Sequence, residues 1–259
     1  MLGQIHPLAL WGQIAVLNVS RIAPTNLAGR ILRLPLRFLR LLPSTTKVWI
    51  VQGPLRGWRW IVASAAHGCW LGTYELDKQK RLTRMVKPGD VFFDIGAHAG
   101  FFTLLAAKLV GETGKVFAFE PLPSNYNFLK QHVQINGIHN VVGFQAAVSD
   151  RSGTASFQEG HSSVTGRLSQ GGTIPVEVLT LDELYAAGKI PLPDCVKIDV
   201  EGAEAAALKG ARRVLTEGKP TISIETHGYE AHEECLGLLR SLGYDCESLR
   251  DEIIARKPS

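Results

Sequence analysis

The chain has 259 residues, of which 45% are apolar and 20% are charged. This length and composition are typical of a globular domain with an extension, and they exclude a collagen-like, low-complexity or long disordered chain. The net charge of +4 conceals an uneven distribution, since residues 1–74 contain eight basic residues and no Asp or Glu. The rest has 20 basic against 24 acidic residues, so a basic, apolar arm precedes a mildly acidic domain.

The arm is predicted to form a helix followed by a hairpin. Arginines recur at helical spacing within residues 27–42, at positions 30, 33, 37 and 40. Residues 47–66 place β-branched and aromatic residues around a Pro/Gly turn, which predicts a β-hairpin. No run approaches the ~20 apolar residues of a membrane span, and no secretory signal is evident. We expect a cytoplasmic protein, with peripheral membrane contact through the arm as an alternative.

From residue 73 onward, the chain alternates helices and strands. Helices are predicted over residues 73–86, 101–109, 124–136 and 236–242. Strands are predicted over 91–95, 116–120, 141–145, 174–179, 195–199 and 221–226, with loops and a short extra strand in 149–172 and an antiparallel hairpin in 244–255. The alternation predicts an α/β fold with a Rossmann-like, mostly parallel, doubly wound sheet. Residues 1–72 would form the arm and hairpin, and residues 73–259 the main domain.

Ligands of a doubly wound sheet bind beyond the carboxyl ends of its strands. The first strand of the domain ends in Asp94-Ile95-Gly96-Ala97-His98-Ala99-Gly100 and leads into a helix. The two glycines allow a tight turn and close approach of the backbone to a ligand. Glu120 ends the next strand, 20 residues after Gly100, where a carboxylate can accept hydrogen bonds from a ribose. The G-x-x-x-G spacing suits a ligand with an amino-acid end better than a pyrophosphate, for which G-x-G-x-x-G is expected.

Carboxylates also follow a later strand, in the segment Val196-Lys197-Ile198-Asp199-Val200-Glu201-Gly202-Ala203-Glu204. Asp199 directly ends a buried strand facing the expected cleft, and Glu201 follows it closely. His227 comes after the last parallel strand and has a reference pKa near 6.5, so we expect it to be largely neutral at pH 7–8. The candidates for a general base are therefore Asp199, Glu201 and His227. Oxygen ligands for a metal are present, but we expect no metal site.

These segments resemble the FkbM family of methyltransferases over residues 72–226. The similarity lies in Gly72-Thr73-Tyr74-Glu75, the glycine turn at 94–100, Phe119-Glu120-Pro121, the acidic segment at 196–204 and Ile224-Glu225-Thr226-His227. The resemblance implies a class I methyltransferase fold, S-adenosylmethionine as cofactor and methylation of a hydroxyl on a sugar, glycolipid or polyketide-type natural product. The cofactor-binding candidates are Glu75, Asp94, Gly96, Ala97, His98, Gly100, Glu120, Pro121, Ala146, Ala147 and Asp199.

Different candidates are expected to bind different parts of the cofactor. By resemblance, Asp94, Gly96 and Gly100 would frame its methionine end and Glu120 its ribose, while residues 145–148 would border the adenine. The family usually has Asn where this chain has His98, which leaves a side-chain role at that position in question.

Two other functions remain alternatives. One is a nicotinamide-dependent oxidoreductase, which the glycine spacing disfavours. The other is a non-catalytic domain that docks at a membrane through its basic arm. The expected acceptor is a small-molecule or glycan hydroxyl rather than a nucleic acid, because the basic residues concentrate in the arm and not around the cleft.

Overall fold

The computed structural model describes residues 43, 45–159, 166–168 and 174–258. The predicted arginine-rich helix over residues 27–42 lies outside this range. Among the described residues, no helix is long and apolar enough to cross a membrane. The proposed boundary between residues 72 and 73 stays a prediction.

The described strands number thirteen and include every strand that the sequence predicted. They are β1 (Lys47–Trp49), β2 (Arg59–Ile61), β3 (Val91–Ile95), β4 (Lys115–Phe119), β5 (Val141–Phe144), β6 (Ala146–Val148), β7 (Gly153–Glu159), β8 (Gly166–Leu168), β9 (Ile174–Leu179), β10 (Cys195–Ile198), β11 (Thr221–Glu225), β12 (Asp245–Leu249) and β13 (Glu252–Arg256).

The α-helices in the same part of the chain exceed the predicted set. They are α1 (His67–Leu71), α2 (Leu76–Met85), α3 (Phe101–Val110), α4 (Pro123–Ile135), α5 (Leu181–Ala186), α6 (Glu204–Lys209), α7 (Arg212–Gly218) and α8 (Tyr229–Ser241). The sequence did not predict α1, α5, α6 or α7, which have five to seven residues each and are too short to show a helical repeat. The Thr180 hydroxyl caps α5 by accepting from the Glu183 N–H.

The central sheet has seven strands in the order β12-β13-β11-β10-β3-β4-β5. Pairings from β11 to β5 are parallel, and β13 is antiparallel to both of its neighbours. The strand order reverses between β3 and β10, so the carboxyl ends of these two strands flank the crevice where ligands bind. The expected Rossmann-like α/β fold and the final antiparallel hairpin are confirmed.

Both faces of this sheet are covered by apolar side chains. Alternation along β3 sends Phe92 into a cluster with α3 and the β1–β2 hairpin. Phe93 and Ile95 point to the opposite face, into a cluster with α5 to α8. Because both faces are buried, a polar side chain within β3 or β10 requires a partner.

The predicted hairpin is confirmed as β1 paired antiparallel with β2, with Lys47 opposite Ile61. It packs on α4 through Trp60, whose fully buried ring stacks on His132 with centroids 3.8 Å apart. The N–H of Ile61 donates to His132 Nε2 at 3.0 Å. The hairpin is therefore joined to the main domain by buried contacts.

A second sheet has the order β6-β9-β7-β8. The sequence predicted loops and one short strand in residues 149–172, whereas the structure has β7 and β8 there as an antiparallel pair. It also has β6, which pairs parallel with β9. A single residue, Gln145, separates β6 from β5, and the sequence predicted only the first of these two strands, over residues 141–145.

Candidate active site

The glycine turn after β3 is held by close contact with the chain that follows β10. Gly96 has a φ of +78°, and a Cβ atom there would lie 1.8 Å from the carbonyl oxygen of Asp199. No residue other than glycine fits this backbone position. The N–H groups of Gly96 and Ala97 both donate to the Phe119 carbonyl at 3.0 Å, which ties the turn to the end of β4.

The turn leads into α3 through Gly100, the N-cap residue, with a φ of +91°. No side chain caps this helix, so its first N–H groups are available to a carboxylate or another anionic group. His98 also has a left-handed backbone, with a φ of +51°. Asn, Asp and His adopt this conformation more readily than other residues with a side chain, so His98 is compatible with the turn.

Glu120 lies at the end of β4, as predicted, and binds back onto the glycine turn. Its Oε2 accepts from the N–H of His98 at 2.8 Å, and its Oε1 accepts from the N–H of Leu122 at 3.0 Å and the amide of Asn125 at 3.3 Å. Burial raises the pKa of the Glu120 carboxyl to about 7 against the lowering effect of these donors. An ionised carboxylate has about four acceptor sites, so room remains for a hydroxyl donor.

Asp94 is fully buried and faces Lys197, its register partner on the adjacent strand β10. The Lys197 ammonium lies 3.1 Å from Asp94 Oδ1 and donates to the Gly96 carbonyl at 3.0 Å. The Thr103 hydroxyl donates to Asp94 Oδ2 at 2.6 Å. Burial lowers the pKa of Lys197, but the charges of Asp94 and Asp199 outweigh it and raise the pKa above its usual value.

Three carboxylates from separate parts of the chain converge on the ammonium of Lys78. It lies 2.7 Å from Glu75 Oε2 and 3.3 Å from Asp199 Oδ2, and it also bonds the carboxylate of Glu225. Burial raises the pKa of Asp199, yet the charges of Lys197, Lys78 and His227 outweigh it and leave the pKa below the usual value. Asp199 is thus an ionised, firmly held carboxylate and a weak base.

His227 stands between two carboxylates of the acidic segment. Its Nδ1 lies 2.7 Å from Oε1 of Glu204, which is fully buried, and its Nε2 lies 3.4 Å from Oε2 of Glu201. The hydrogen bond to Glu204 raises the pKa of His227 to about 9; burial opposes this, and the charges of Glu201, Glu204 and Asp199 add to it. The expectation of a largely neutral His227 at pH 7–8 is therefore wrong, because a sequence does not reveal that Glu204 is its partner.

Glu201 differs from Asp199 in being bound by no lysine among the described residues. Its side chain is 35% exposed and its backbone is left-handed, with a φ of +48°. Burial raises the pKa of Glu201, with the nearby carboxylates adding to this effect and His227 opposing it. Of the two carboxylate candidates, Glu201 is the stronger base.

Most of the predicted cofactor residues meet at one edge of the central sheet. Lys78 and Lys197 form ion pairs or hydrogen bonds with Glu75, Asp94, Asp199 and the Gly96 carbonyl. Glu120 accepts a hydrogen bond from the His98 N–H of the glycine turn. Ala146 and Ala147 are buried in β6, one residue beyond the end of β5 at Phe144, whose ring stacks on Phe119 of β4 with centroids 4.9 Å apart. Pro121 follows Glu120 in the loop before α4.

Lys78, Lys197 and Thr103 were missed by the sequence analysis. A lysine among apolar residues in a buried strand, as in Val196-Lys197-Ile198, is itself a signal that an acidic partner exists. No comparable signal pointed to Lys78 beyond its position one turn after Glu75. Within the described residues, no group of three or more His, Cys, Asp or Glu side chains could hold a metal ion.

Comparison with known proteins identifies related chains. Residues 94–246 match the family model described as the methyltransferase FkbM domain. A hexuronic acid methyltransferase, AglP, of Haloferax volcanii is 29% identical over 143 residues, which cover 54% of this chain and 58% of that protein. The 31-O-demethyl-FK506 methyltransferase FkbM of Streptomyces tacrolimicus is 28% identical over 205 residues, covering 66% and 78% of the two chains.

Solved structures agree on the fold. A precorrin-6y C5,15-methyltransferase from Geobacter metallireducens aligns with a TM-score of 0.50 at 16% identity, covering 71% of this chain and 90% of that one. At this identity the likeness shows the fold alone. The AglP alignment spans less than two thirds of that protein's length.

Proposed function

The chain belongs to the FkbM methyltransferase domain family, and we propose on this basis that it transfers a methyl group to a hydroxyl of a sugar, glycolipid or polyketide-type natural product. Family membership identifies S-adenosylmethionine as the cofactor. When bound, this cofactor supplies a methyl group already activated on a sulfonium. The protein then has mainly to align acceptor and donor and to accept the hydroxyl proton.

The observation that carries the proposal is the carboxylate-rich edge around the glycine turn. Gly96 leaves no room for a side chain beside Asp199, and the open start of α3 offers N–H groups to the cofactor's carboxylate. Asp94, Glu120 and Asp199 supply negative charge that suits a ligand bearing a sulfonium and an ammonium group. The residues therefore fit S-adenosylmethionine, with Glu120 holding the ribose hydroxyls.

Glu201 accepts the proton of the acceptor hydroxyl in this proposal. Its raised pKa makes it a better base than Asp199, whose pKa is lowered. Asp199 is instead a positioning residue that packs its backbone on Gly96 and bonds the two lysines. We expect Glu201→Gln to reduce turnover by about 10²-fold or more with cofactor affinity unchanged. An equal loss of cofactor affinity in that variant would contradict this role.

The names of two relatives refer to different acceptors, a hexuronic acid and 31-O-demethyl-FK506. Each name describes that protein alone, and together they are the basis for proposing hydroxyl acceptors of sugar or natural-product type. A nicotinamide-dependent oxidoreductase loses support from the family membership. The intact set of Asp94, Glu120 and Asp199 favours catalysis over a purely docking role.

Calorimetric titration with S-adenosylhomocysteine tests the proposal, with NAD and NADP titrated in parallel. We expect micromolar binding of S-adenosylhomocysteine, loss of that binding in Glu120→Ala, and none of either dinucleotide. Glu112→Ala, at an exposed position before β4, is the matched control and should bind normally. Saturable binding of a dinucleotide without binding of S-adenosylhomocysteine would overturn the proposal.

A further inference from the structure

An open cleft of about 440 Å³ lies between the start of α2 and the turn that joins β12 to β13. Glu75, Lys78 and Glu225 line one part of it, and Arg250 and Glu252 line another. Because β13 is antiparallel to both β11 and β12, β11 and β12 run in the same direction. The β12–β13 turn is therefore on the same edge of the sheet as Glu225 and Asp199.

The cleft and the cofactor residues occupy different halves of this edge. The glycine turn and Glu120 end β3 and β4, on one side of β10, whereas Glu225 ends β11 on the other side. Asp199 follows β10, between the two halves. Lys78 links them, since its ammonium contacts both Asp199 and Glu225. Lys78, which lines the cleft, is thus in direct contact with Asp199.

The lining of this cleft is unusually polar. Nine of its twelve residues are charged, five acidic and four basic, and only two are leucines. Pockets for apolar ligands are lined mainly by hydrophobic and aromatic side chains, whereas this cleft is lined mostly by charged side chains, which a largely apolar scaffold would remove from water without bonding to them. A ligand with many hydroxyls can donate to the carboxylates and accept from the cations.

The cleft residue Glu252 of β13 is held by hydrogen-bond partners, whereas Arg250 in the β12–β13 turn is available to a ligand. Arg81 pairs with Glu252, whose Oε1 also accepts from the Ser223 hydroxyl at 2.8 Å. Arg250, at the tip of the turn, is exposed and forms no ion pair with any described residue. Leu249 beside it is 38% exposed and offers an apolar surface to the CH face of a sugar ring.

We propose that this cleft is the acceptor site and that it binds a saccharide, with Arg250 and Leu249 at the rim holding the sugar. This inference rests on the proposed methyltransferase function and narrows its acceptor. It commits to a carbohydrate rather than a polyketide-type scaffold. Lys78 and Glu225 line the cleft and are joined to Asp199 through Lys78, so in this proposal they orient the hydroxyl that faces the cofactor half of the edge.

The test measures transfer of radioactive methyl from S-adenosylmethionine to defined probes. The probes are p-nitrophenyl glycosides of glucose, mannose, galactose, rhamnose and glucuronic acid, with 31-O-demethyl-FK506 as the polyketide probe. We expect transfer to at least one glycoside and none to the polyketide. Transfer to the polyketide alone, or to no glycoside while S-adenosylhomocysteine still binds, would overturn the saccharide assignment.

Two variants locate the site. Arg250→Asn keeps a residue suited to the left-handed φ of +57°, and we expect it to raise KM for the glycoside about tenfold with kcat unchanged. Leu249→Trp should obstruct the cleft and abolish transfer. Arg240→Gln, at an exposed position on α8, is the control. Unchanged KM in Arg250→Asn together with normal transfer by Leu249→Trp would place the acceptor elsewhere.

The assay separates this inference from the proposed function. All variants should bind S-adenosylhomocysteine like the unaltered protein, because none of the substituted residues lies at the glycine turn. If the unaltered protein fails to bind it, the methyltransferase proposal itself fails. If binding is normal and only the acceptor results disagree, the saccharide cleft alone is refuted.

Discussion

We expect His227 to be positively charged at neutral pH and therefore not available as a base, and this has a measurable consequence. Its pKa is raised from 6.5 to about 9, which corresponds to at most ~3 kcal/mol of preference for the imidazolium in the folded protein. Solvent screening reduces this figure, because 30% of the side chain is exposed. At pH 7.5, a pKa of 9 leaves about 3% of His227 neutral. The charged groups facing it are Glu201, Glu204 and Asp199.

The pH dependence of stability follows from the direction of the pKa shift of His227. The folded pKa exceeds the unfolded one, so the contribution of His227 is fully present below pH 6.5 and is lost as the pH rises to about 9. His227→Gln retains a donor but does not titrate. We expect the difference in unfolding free energy between the unaltered protein and His227→Gln to shrink by 1–3 kcal/mol, an order-of-magnitude range, over this interval.

Urea unfolding at pH 6, 7, 8, 9 and 10 measures this difference. His232→Gln is the matched control, because the ring of His232 bonds the hydroxyls of Thr226 and Ser248 and pairs with no carboxylate in the part of the chain that the structure describes. Parallel pH profiles for the unaltered protein and His227→Gln would refute the reasoning. So would a methyl-transfer rate that rises through pH 9 and disappears in His227→Gln, since this is the behaviour of a neutral base.

Three further predictions concern the framework of the site. Gly96→Ala should abolish S-adenosylhomocysteine binding in calorimetry, because its Cβ would lie 1.8 Å from the Asp199 carbonyl oxygen. The control Gly237→Ala, in open space on α8, should bind normally. Retained binding in Gly96→Ala would contradict the proposed turn. Lys197→Met should lower the unfolding free energy by about 3–5 kcal/mol, because it leaves buried Asp94 without its cation. The double variant with Asp94→Asn should recover part of this loss. Strictly additive effects of the two substitutions would argue against a stabilising Lys197–Asp94 ion pair. Burial lowers the pKa of His132 to about 4, so the unfolding free energy should fall by about 3 kcal/mol as the pH drops from 6.5 towards 4. In urea unfolding, His132→Gln should remove this pH dependence. An unchanged pH dependence in that variant would place the titrating group elsewhere.

The sequence was sufficient for the features that depend on local pattern. The glycine turn could be found because its two glycines follow a buried strand and precede an apolar helix, and Glu120 because it ends the next strand. Strand direction then brings both to the same edge, since parallel strands share their carboxyl ends. The main elements followed from the same alternation of apolar strands and helices.

The contacts that set protonation could not be found in this way. Lys78 lies 121 residues from Asp199 and 147 from Glu225 along the chain, and nothing local to Lys78 identifies those partners. The expectation of a neutral His227 was wrong for the same reason, since its pKa depends on the buried carboxylate of Glu204 from another element. Short helices such as α6 were missed because tertiary packing stabilises them more than their own six residues do.

The balance of charge at the sheet edge suggests why this protein buries two lysines beside its ligand site. Asp94, Glu75, Asp199 and Glu225 carry four formal negative charges, and Lys78 and Lys197 neutralise two of them. Four carboxylates in close proximity repel one another, and the two ammonium groups offset this repulsion. The cluster then has a net formal charge of about −2. In the proposed site, that residual charge would attract the sulfonium of S-adenosylmethionine more strongly than the uncharged thioether left after methyl transfer.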